Sequence, residues 1–219
     1  MAWLTNITVT VDRQILLIAV TAVRAPGLHT TNAVGGTTMS VVVEGMDGSG
    51  KSGMVQRISE HLKIPIHQRA ATSTGGPVSK LYQWAKDDVS SLRWQPFSVY
   101  DRHPLISEYI YGPITRQKVD PEFFTPQAAK LSEIFANSVL IVFCDPGPDE
   151  VFKNVLAGKH MDGVTENASR LYYAYRAFMH YWPGNRPVVW DYTQPHTFPD
   201  VIQKCVEHLG IHNMEGAQA

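Results

Sequence analysis

Apolar and polar positions change period several times along the chain, and the changes divide it into elements. Val41-Val42-Val43 is a continuous apolar run, the pattern of a strand buried on both faces, and Met54, Ile58 and Leu62 then recur at helical spacing. Ile64 to Ala70 (IPIHQRA) predicts a second strand, ended by the polar stretch Thr72-Ser73-Thr74-Gly75-Gly76-Pro77. Val78, Leu81, Tyr82 and Ala85 mark one helix face. Tyr82 or Trp84 there has two readings, stacking on a base or packing in the core. Pro96 to Tyr100 predicts a third strand running into Asp101-Arg102-His103. A helix over Leu105 to Tyr111 is interrupted by Gly112-Pro113, and Pro126 to Ala136 is amphipathic. Ser138 to Asp145 (SVLIVFCD) is the most apolar strand of the chain.

Beyond it, Glu150 to Leu156 starts a helix that stops at Gly158, and the polar, Gly-bounded stretch 157–166 reads as a closing lid. Tyr172, Tyr175, Phe178 and Met179 form the next helix face, Pro187 to Asp191 a fifth strand, and Val201 to Leu209 a last helix. Five strands alternating with helices predict an α/β fold, a three-layer α/β/α sandwich on a five-stranded parallel sheet with right-handed crossovers.

Residues 1–38 follow a different pattern. Ile15 to Val23 is too short to span a bilayer, Asp12 and Arg13 cancel where a signal peptide wants a basic start, and Ala25 to Thr38 reads as loop. The expected division is an N-terminal extension, 1–38, and a main domain, 39–219. The extension is either a disordered or loosely packed arm or upstream sequence before a true start at Met39. Mass spectrometry of protein expressed from the native gene distinguishes these, and an intact Met1 would overturn the second.

Composition changes this picture little. With 219 residues and 44% apolar content the chain can bury one good core. A net charge of −1 and a pI near 6.7 give no bulk footprint for nucleic acid. Cys144 and Cys205 fall in an apolar strand and an apolar helix, which suits reduced core thiols in a cytoplasmic protein.

The chemistry lies between Gly45 and Ser52. Gly45-Met46-Asp47-Gly48-Ser49-Gly50-Lys51-Ser52 fits G-x-x-x-x-G-K-[ST] at every fixed position, after a strand and before a helix. Glycines there let consecutive N–H groups surround a triphosphate at a helix N-terminus. Lys51 would reach the β- and γ-phosphates, and the Ser52 hydroxyl would hold Mg²⁺. Asp101, ending an apolar strand, is placed for a second Mg²⁺ contact through water, and Arg102 for a bidentate phosphate clamp; alternatively the two pair with each other or cap the next helix. Asp145 is a rival carboxylate, although Pro146-Gly147-Pro148 after it suggests a cap. His103 has two readings as well, wall of the site or structural.

Val42 to Ser52 resembles the EGxDGxGKS loop of thymidylate kinases, and Asp101-Arg102-His103 resembles their DR(Y/H) motif. The DRHPLISE segment is also similar to nucleotide kinases common in bacteriophages. The resemblance implies the P-loop nucleoside monophosphate kinase fold, with ATP and Mg²⁺ as cofactors. It implies γ-phosphoryl transfer to a (deoxy)nucleoside monophosphate, dTMP or a related pyrimidine deoxynucleotide. Asp47 would then lie near the acceptor's sugar, Arg102 would hold its phosphate, and Asp101 would organise the magnesium or the acceptor. Arg69, Arg116, Lys159 and Arg170 are further acceptor and lid candidates. Three features depart from the family pattern. Gly53 stands where threonine is common, Arg69 lies further from Gly75-Gly76 than in an REPGG-like segment, and Ser49 replaces a basic loop residue while the lid offers only Lys153, Lys159 and His160, with Arg170 behind.

Rival functions are a kinase acting on a deoxynucleoside or on a hydroxymethylpyrimidine in DNA, and an ATP-binding regulator with slow turnover. The guanine-reading [NT]-K-x-D motif is absent, which argues against a GTPase. The expected partner is a small nucleotide, without a membrane; nucleic acid enters only with the DNA alternative, and a homodimer stays open.

Overall fold

The computed structural model describes residues 6–11, 14–19, 39–67, 71–72, 76–77, 80–91, 97–118, 120–194 and 196–211. Two strands precede Met39: β1 (Asn6–Val11) and β2 (Gln14–Ala19) pair antiparallel, from Asn6↔Ala19 to Val11↔Gln14. The stretch read as an extension therefore holds a hairpin, in keeping with the β-branched run ITVTV.

The main sheet begins with β3 (Ser40–Glu44), every residue of which is buried. Helix α1 (Lys51–Leu62) follows, then the two-residue pair β4 (Ala71–Thr72) and β5 (Gly76–Pro77), and α2 (Leu81–Ser91). Strand β6 (Val99–Asp101) leads into α3 (Pro104–Tyr111). Next come α4 (Pro126–Ser138), β7 (Val139–Cys144), α5 (Pro148–Ala157), α6 (Ala168–His180), β8 (Val188–Trp190) and α7 (Thr197–Leu209). The sheet order is β6-β3-β7-β8, with all pairs parallel.

Among the described residues the main sheet has four strands where five were expected. Of the stretch expected as the second strand, Ile64 to Ala70, residues 64–67 contribute a single parallel bridge, Ile66↔Val99, and 68–70 lie outside the described residues. Val99 N–H donates to the Pro65 carbonyl at 3.0 Å and His67 N–H to the Val99 carbonyl at 2.8 Å. Pro65 has no N–H to extend this ladder toward Phe97.

Alternation along the strands divides the apolar residues between the two faces of the sheet. Val42, Tyr100, Ile141 and Phe143 join a core with side chains of α2, α3, α4 and α6. Val41, Val43, Val99, Val142 and Cys144 join a second core with Met54 and Ile58 of α1 and Val201 and Cys205 of α7. Both thiols are buried and unpaired with each other. Among the described residues no helix is long and apolar enough to cross a membrane.

Local signals set the helix starts. Pro104 and Pro126 occupy first helical turns, where an absent N–H costs nothing, behind the caps His103 and Thr125. Gly112-Pro113 loosens the chain into a π-helical turn, Gly112–Arg116, instead of ending the helix outright.

The chain leaves β3 for β6 on one side and later for β7 on the other. The reversal puts a crevice at the C-terminal end of β3, where open α/β sheets hold ligands.

Candidate active site

Gly45 to Gly50 links β3 to α1 at this crevice. A Cβ at Gly45 would meet the Cys144 carbonyl at 2.7 Å and Ser49 Oγ at 2.7 Å, so the backbone approaches β7 more closely than any side chain allows. Gly50 caps α1 in the left-handed region (φ 87°), without a side-chain cap. The first-turn N–H groups of α1 thus belong to a loop shaped for an anion, and no acidic residue in that turn opposes one. Ser49 Oγ is buried inside the loop without a hydrogen-bond partner.

Lys51 is buried and its Nζ donates to the Met46 carbonyl at 2.5 Å. Burial, aided by the nearby Arg102 charge, pushes its ammonium down to about 7. Ser52 Oγ donates to Asp101 Oδ2 at 3.1 Å. Val43↔Asp101 pairing in the sheet sets this contact, since it aligns the end of β6 with the start of the loop. Two hard oxygen donors side by side, next to a phosphate cradle, suit Mg²⁺, which takes few protein ligands and completes its shell with water and phosphate.

Arg102 sits in the left-handed region (φ 67°), a conformation that a non-glycine residue keeps only when its surroundings enforce it. The Arg102 N–H donates to the Val43 carbonyl at 3.0 Å, and its side chain turns over the loop. Arg102 Nη2 donates to Asp47 Oδ1 at 3.0 Å, to the Tyr111 hydroxyl at 2.7 Å and to the Gly45 carbonyl at 3.3 Å. The Tyr111 hydroxyl donates in turn to Asp47 Oδ2 at 2.7 Å. Burial alone would raise the Asp47 carboxyl, but the Arg102 and Lys51 charges outweigh it and hold Asp47 well below the usual carboxylate range. Arg102 Nε remains buried without a partner.

Behind Arg102 lies a second polar cluster. His103 N–H donates to Glu44 Oε1 at 2.8 Å, and Tyr175 OH donates to Glu44 Oε2 at 3.3 Å. Burial pushes the Glu44 carboxyl up to about 7, against the lowering influence of Arg102. His103 Nδ1 accepts from Leu105 N–H at 3.2 Å, which leaves Nε2 as the protonated nitrogen facing Asp88 Oδ2 at 3.2 Å. His67 Nε2 and the Tyr100 hydroxyl meet Asp88 Oδ1 at 3.1 and 3.2 Å. Asp88 thus holds His103, which caps α3 and stacks on Phe135 at 4.1 Å. The structural reading of His103 is the one its contacts match.

The loop is held from its other side by α5 and the segment after β8. Asn154 Nδ2 donates to the Gly48 carbonyl at 2.9 Å and to the Tyr192 hydroxyl at 2.7 Å. A Cβ at Gly50 would lie 2.9 Å from the Tyr192 ring.

The structure brings Gly45, Asp47, Gly48, Ser49, Gly50, Lys51, Ser52, Asp101 and Arg102 together, and sends other candidates elsewhere. Arg116 pairs with the buried carboxylate of Glu108. Arg170 Nη1 donates to Asn167 Oδ1 at 3.1 Å, and Lys159 is exposed. Arg69 lies outside the described residues. Asp145 accepts from Tyr172 OH at 2.7 Å and pairs with Arg176 at 3.4 Å, which occupies the rival carboxylate. Tyr82 packs edge-on against Phe123, and Trp84 lies beside His67 and His103, so both rings serve packing. Among the described residues no group of three or more His, Cys, Asp and Glu is placed to hold a metal ion.

No family model matches the chain, and no curated protein matches it. Its fold is similar to those of solved structures. One is YorR protein from Bacillus subtilis in complex with phosphorylated GDP, at 18% identity, covering 80% of this chain and 99% of that one with a TM-score of 0.57. Another is deoxyadenosine kinase from M. mycoides with the products dCMP and a flexible dCDP, at 12% identity, 77% and 99% coverage and a TM-score of 0.52. At these identities the likeness shows the fold alone, an α/β parallel sheet with helices.

Proposed function

We propose that the protein is a Mg-ATP-dependent kinase that transfers a phosphoryl group to a (deoxy)nucleoside monophosphate, a pyrimidine deoxynucleotide such as dTMP. The observation that carries this is the Arg102–Asp47 pair at the mouth of the phosphate loop, 3.0 Å apart. A nucleotide hydrolase delivers the phosphoryl group to water and has no second phosphate-bearing substrate to hold. A second, partly buried cation, poised over the loop by a strained backbone and held by an exchangeable carboxylate, suits a second anion.

In this reading the loop N–H groups and Lys51 bind the donor's phosphates, and Ser52 and Asp101 hold Mg²⁺, which neutralises developing charge when bound. Arg102 exchanges Asp47 for the acceptor's phosphate, and Asp47, once released, accepts from a sugar hydroxyl. Positioning and charge neutralisation are what phosphoryl transfer requires. Residues 157–166 act as the lid.

The same pair favours one alternative, a deoxynucleoside acceptor. A neutral sugar could dock on Asp47 without displacing Arg102, and the M. mycoides neighbour is a deoxyadenosine kinase. A coupled ADP-release assay against monophosphates, nucleosides and hydroxymethylated DNA separates the readings. The proposal expects turnover with a monophosphate, lost in Lys51→Ala and depressed in Arg102→Ala mainly through the acceptor's KM. Turnover with a nucleoside or DNA alone would overturn it.

A further inference from the structure

We infer that Asn154 is a positioning residue for the phosphate loop: it fixes the plane of the Gly48–Ser49 peptide so that the Ser49 N–H, and not the Gly48 carbonyl, faces a bound phosphate. The inference rests on the triphosphate binding assumed in the kinase reading above, and on nothing about the acceptor.

Gly48 sits at φ 80°, a region that glycine enters without penalty. Because glycine tolerates so wide a range of backbone angles, residue 48 does little by itself to fix the peptide that follows it. Something outside the loop has to. Asn154 Nδ2 donates to the Gly48 carbonyl at 2.9 Å, which draws that oxygen outward to α5. No described peptide bond is cis, and a trans peptide points its C=O and N–H in opposite directions. The Ser49 N–H is therefore directed back across the loop. There it donates to the Met46 carbonyl at 3.3 Å, the same oxygen that Lys51 Nζ reaches. A tilt of this peptide would withdraw one N–H from the side on which Lys51 lies and bring a carbonyl dipole toward it, with its negative end facing an anion.

The amide of Asn154 is itself held. A backbone carbonyl only accepts, so the atom facing Gly48 is the nitrogen, and it donates as well to the Tyr192 hydroxyl at 2.7 Å. That hydroxyl donates onward to Glu150 Oε2 at 3.4 Å, one turn earlier on α5. The helix also stands directly against the loop at this residue. A Cβ at Gly48 would lie 2.9 Å from the Val151 carbonyl and 3.2 Å from Val155 Cγ2, and both valines are buried. Packing thus sets the distance between α5 and the loop, and the Asn154 amide sets the rotation of the peptide.

The test is calorimetric titration of the full chain with Mg-ATP and with Mg-tripolyphosphate, which carries neither base nor sugar. Asn154→Ala removes the donor and the volume, whereas Asn154→Leu removes the donor and keeps a branched side chain against Gly48. Both are expected to weaken both ligands about tenfold, the effect of one hydrogen bond. Tyr192→Phe retains the ring beside Gly50 and removes only the second partner of the amide, so its expected loss is about twofold. Amide spectra of ¹⁵N-labelled protein separate positioning from packing. Saturating tripolyphosphate should move the Ser49 amide proton downfield in the wild type; in Asn154→Leu that shift should be lost while the one at Lys51 remains. Wild-type affinity in Asn154→Leu beside a weakened Asn154→Ala would assign Asn154 to packing and overturn the inference, as would unchanged binding in both or a Ser49 shift retained in Asn154→Leu. Wild-type protein that binds both ligands but phosphorylates no acceptor would defeat the kinase reading and leave this comparison intact.

Discussion

Two polar clusters flank the end of β6, one residue apart in sequence and opposite in character. Arg102 faces forward onto the phosphate loop, where Asp47 and Tyr111 bond it and each other and Lys51 donates to the Met46 carbonyl, while Ser49 Oγ and Arg102 Nε lack partners. His103 faces backward, where both ring nitrogens, the Asp88 carboxylate and the Glu44 carboxylate all have partners. A polar group buried without a partner costs about 1–3 kcal/mol, so the front cluster is expensive and the rear one close to balanced. The contrast assigns the front to ligand binding and the rear to holding β6, α2 and α3 in register.

Removing the loop cation should separate the two clusters most widely. Lys51→Met is expected to lower phosphoryl transfer by about 10²–10³-fold, the range seen when a preorganised charge donor is deleted. The same variant should unfold at higher denaturant at pH 7, because an ammonium held down to about 7 by burial is replaced by an apolar chain of similar length. Loss of both activity and stability would contradict the division. Arg102→Ala comes next, with kcat/KM down about 10²-fold and most of the change in the acceptor's KM, measured by varying acceptor at saturating Mg-ATP.

In the rear cluster the effects move to stability. Asp88→Asn should cost about 1–3 kcal/mol in urea unfolding, since an amide cannot accept from His67, His103 and Tyr100 together, while the KM for Mg-ATP stays within about twofold. A large KM change with unchanged stability would place Asp88 in the front cluster instead. The smallest effect is a pH dependence. Glu44 has a folded pKa raised to about 7 from 4.5, so its folded form binds the extra proton. That contribution is full below pH 4.5 and is lost as pH rises through 7. Glu44→Gln should therefore flatten the fall in unfolding free energy between about pH 5 and pH 7.

The front cluster was largely legible because its chemistry is tied to spacing. Gly45 to Ser52 is a contiguous pattern, and Asp101-Arg102 ends an apolar run that could only be a strand. The rear cluster had a weaker signal. Asp88 falls on the same helix face as Leu81 and Ala85, and a carboxylate in an apolar stripe is a mark of a buried partner. Tyr111 and Tyr175 read as apolar faces, yet each carries a hydroxyl into the site, and no period distinguishes a tyrosine that packs from one that also bonds. Arg116 and Arg170 illustrate the converse. Their charges suggest phosphates, but Glu108 and Asn167, one or two turns away, engage them first. The expected strand over Ile64 to Ala70 overlooked Pro65, whose missing donor limits the described ladder to one bridge.

Sheet order also bears on how the chain assembles. Strand β3 is the earliest of the main sheet to be synthesised, yet it lies in the middle and pairs with residues 99–101 and 139–144. Its apolar stretch Val41 to Val43 cannot be covered on both sides until about a hundred further residues have emerged, and at some 5–20 residues per second that wait lasts seconds. Parallel pairing over such distances is slow to form. During synthesis the segment leading into the phosphate loop thus waits longest for its sheet partners.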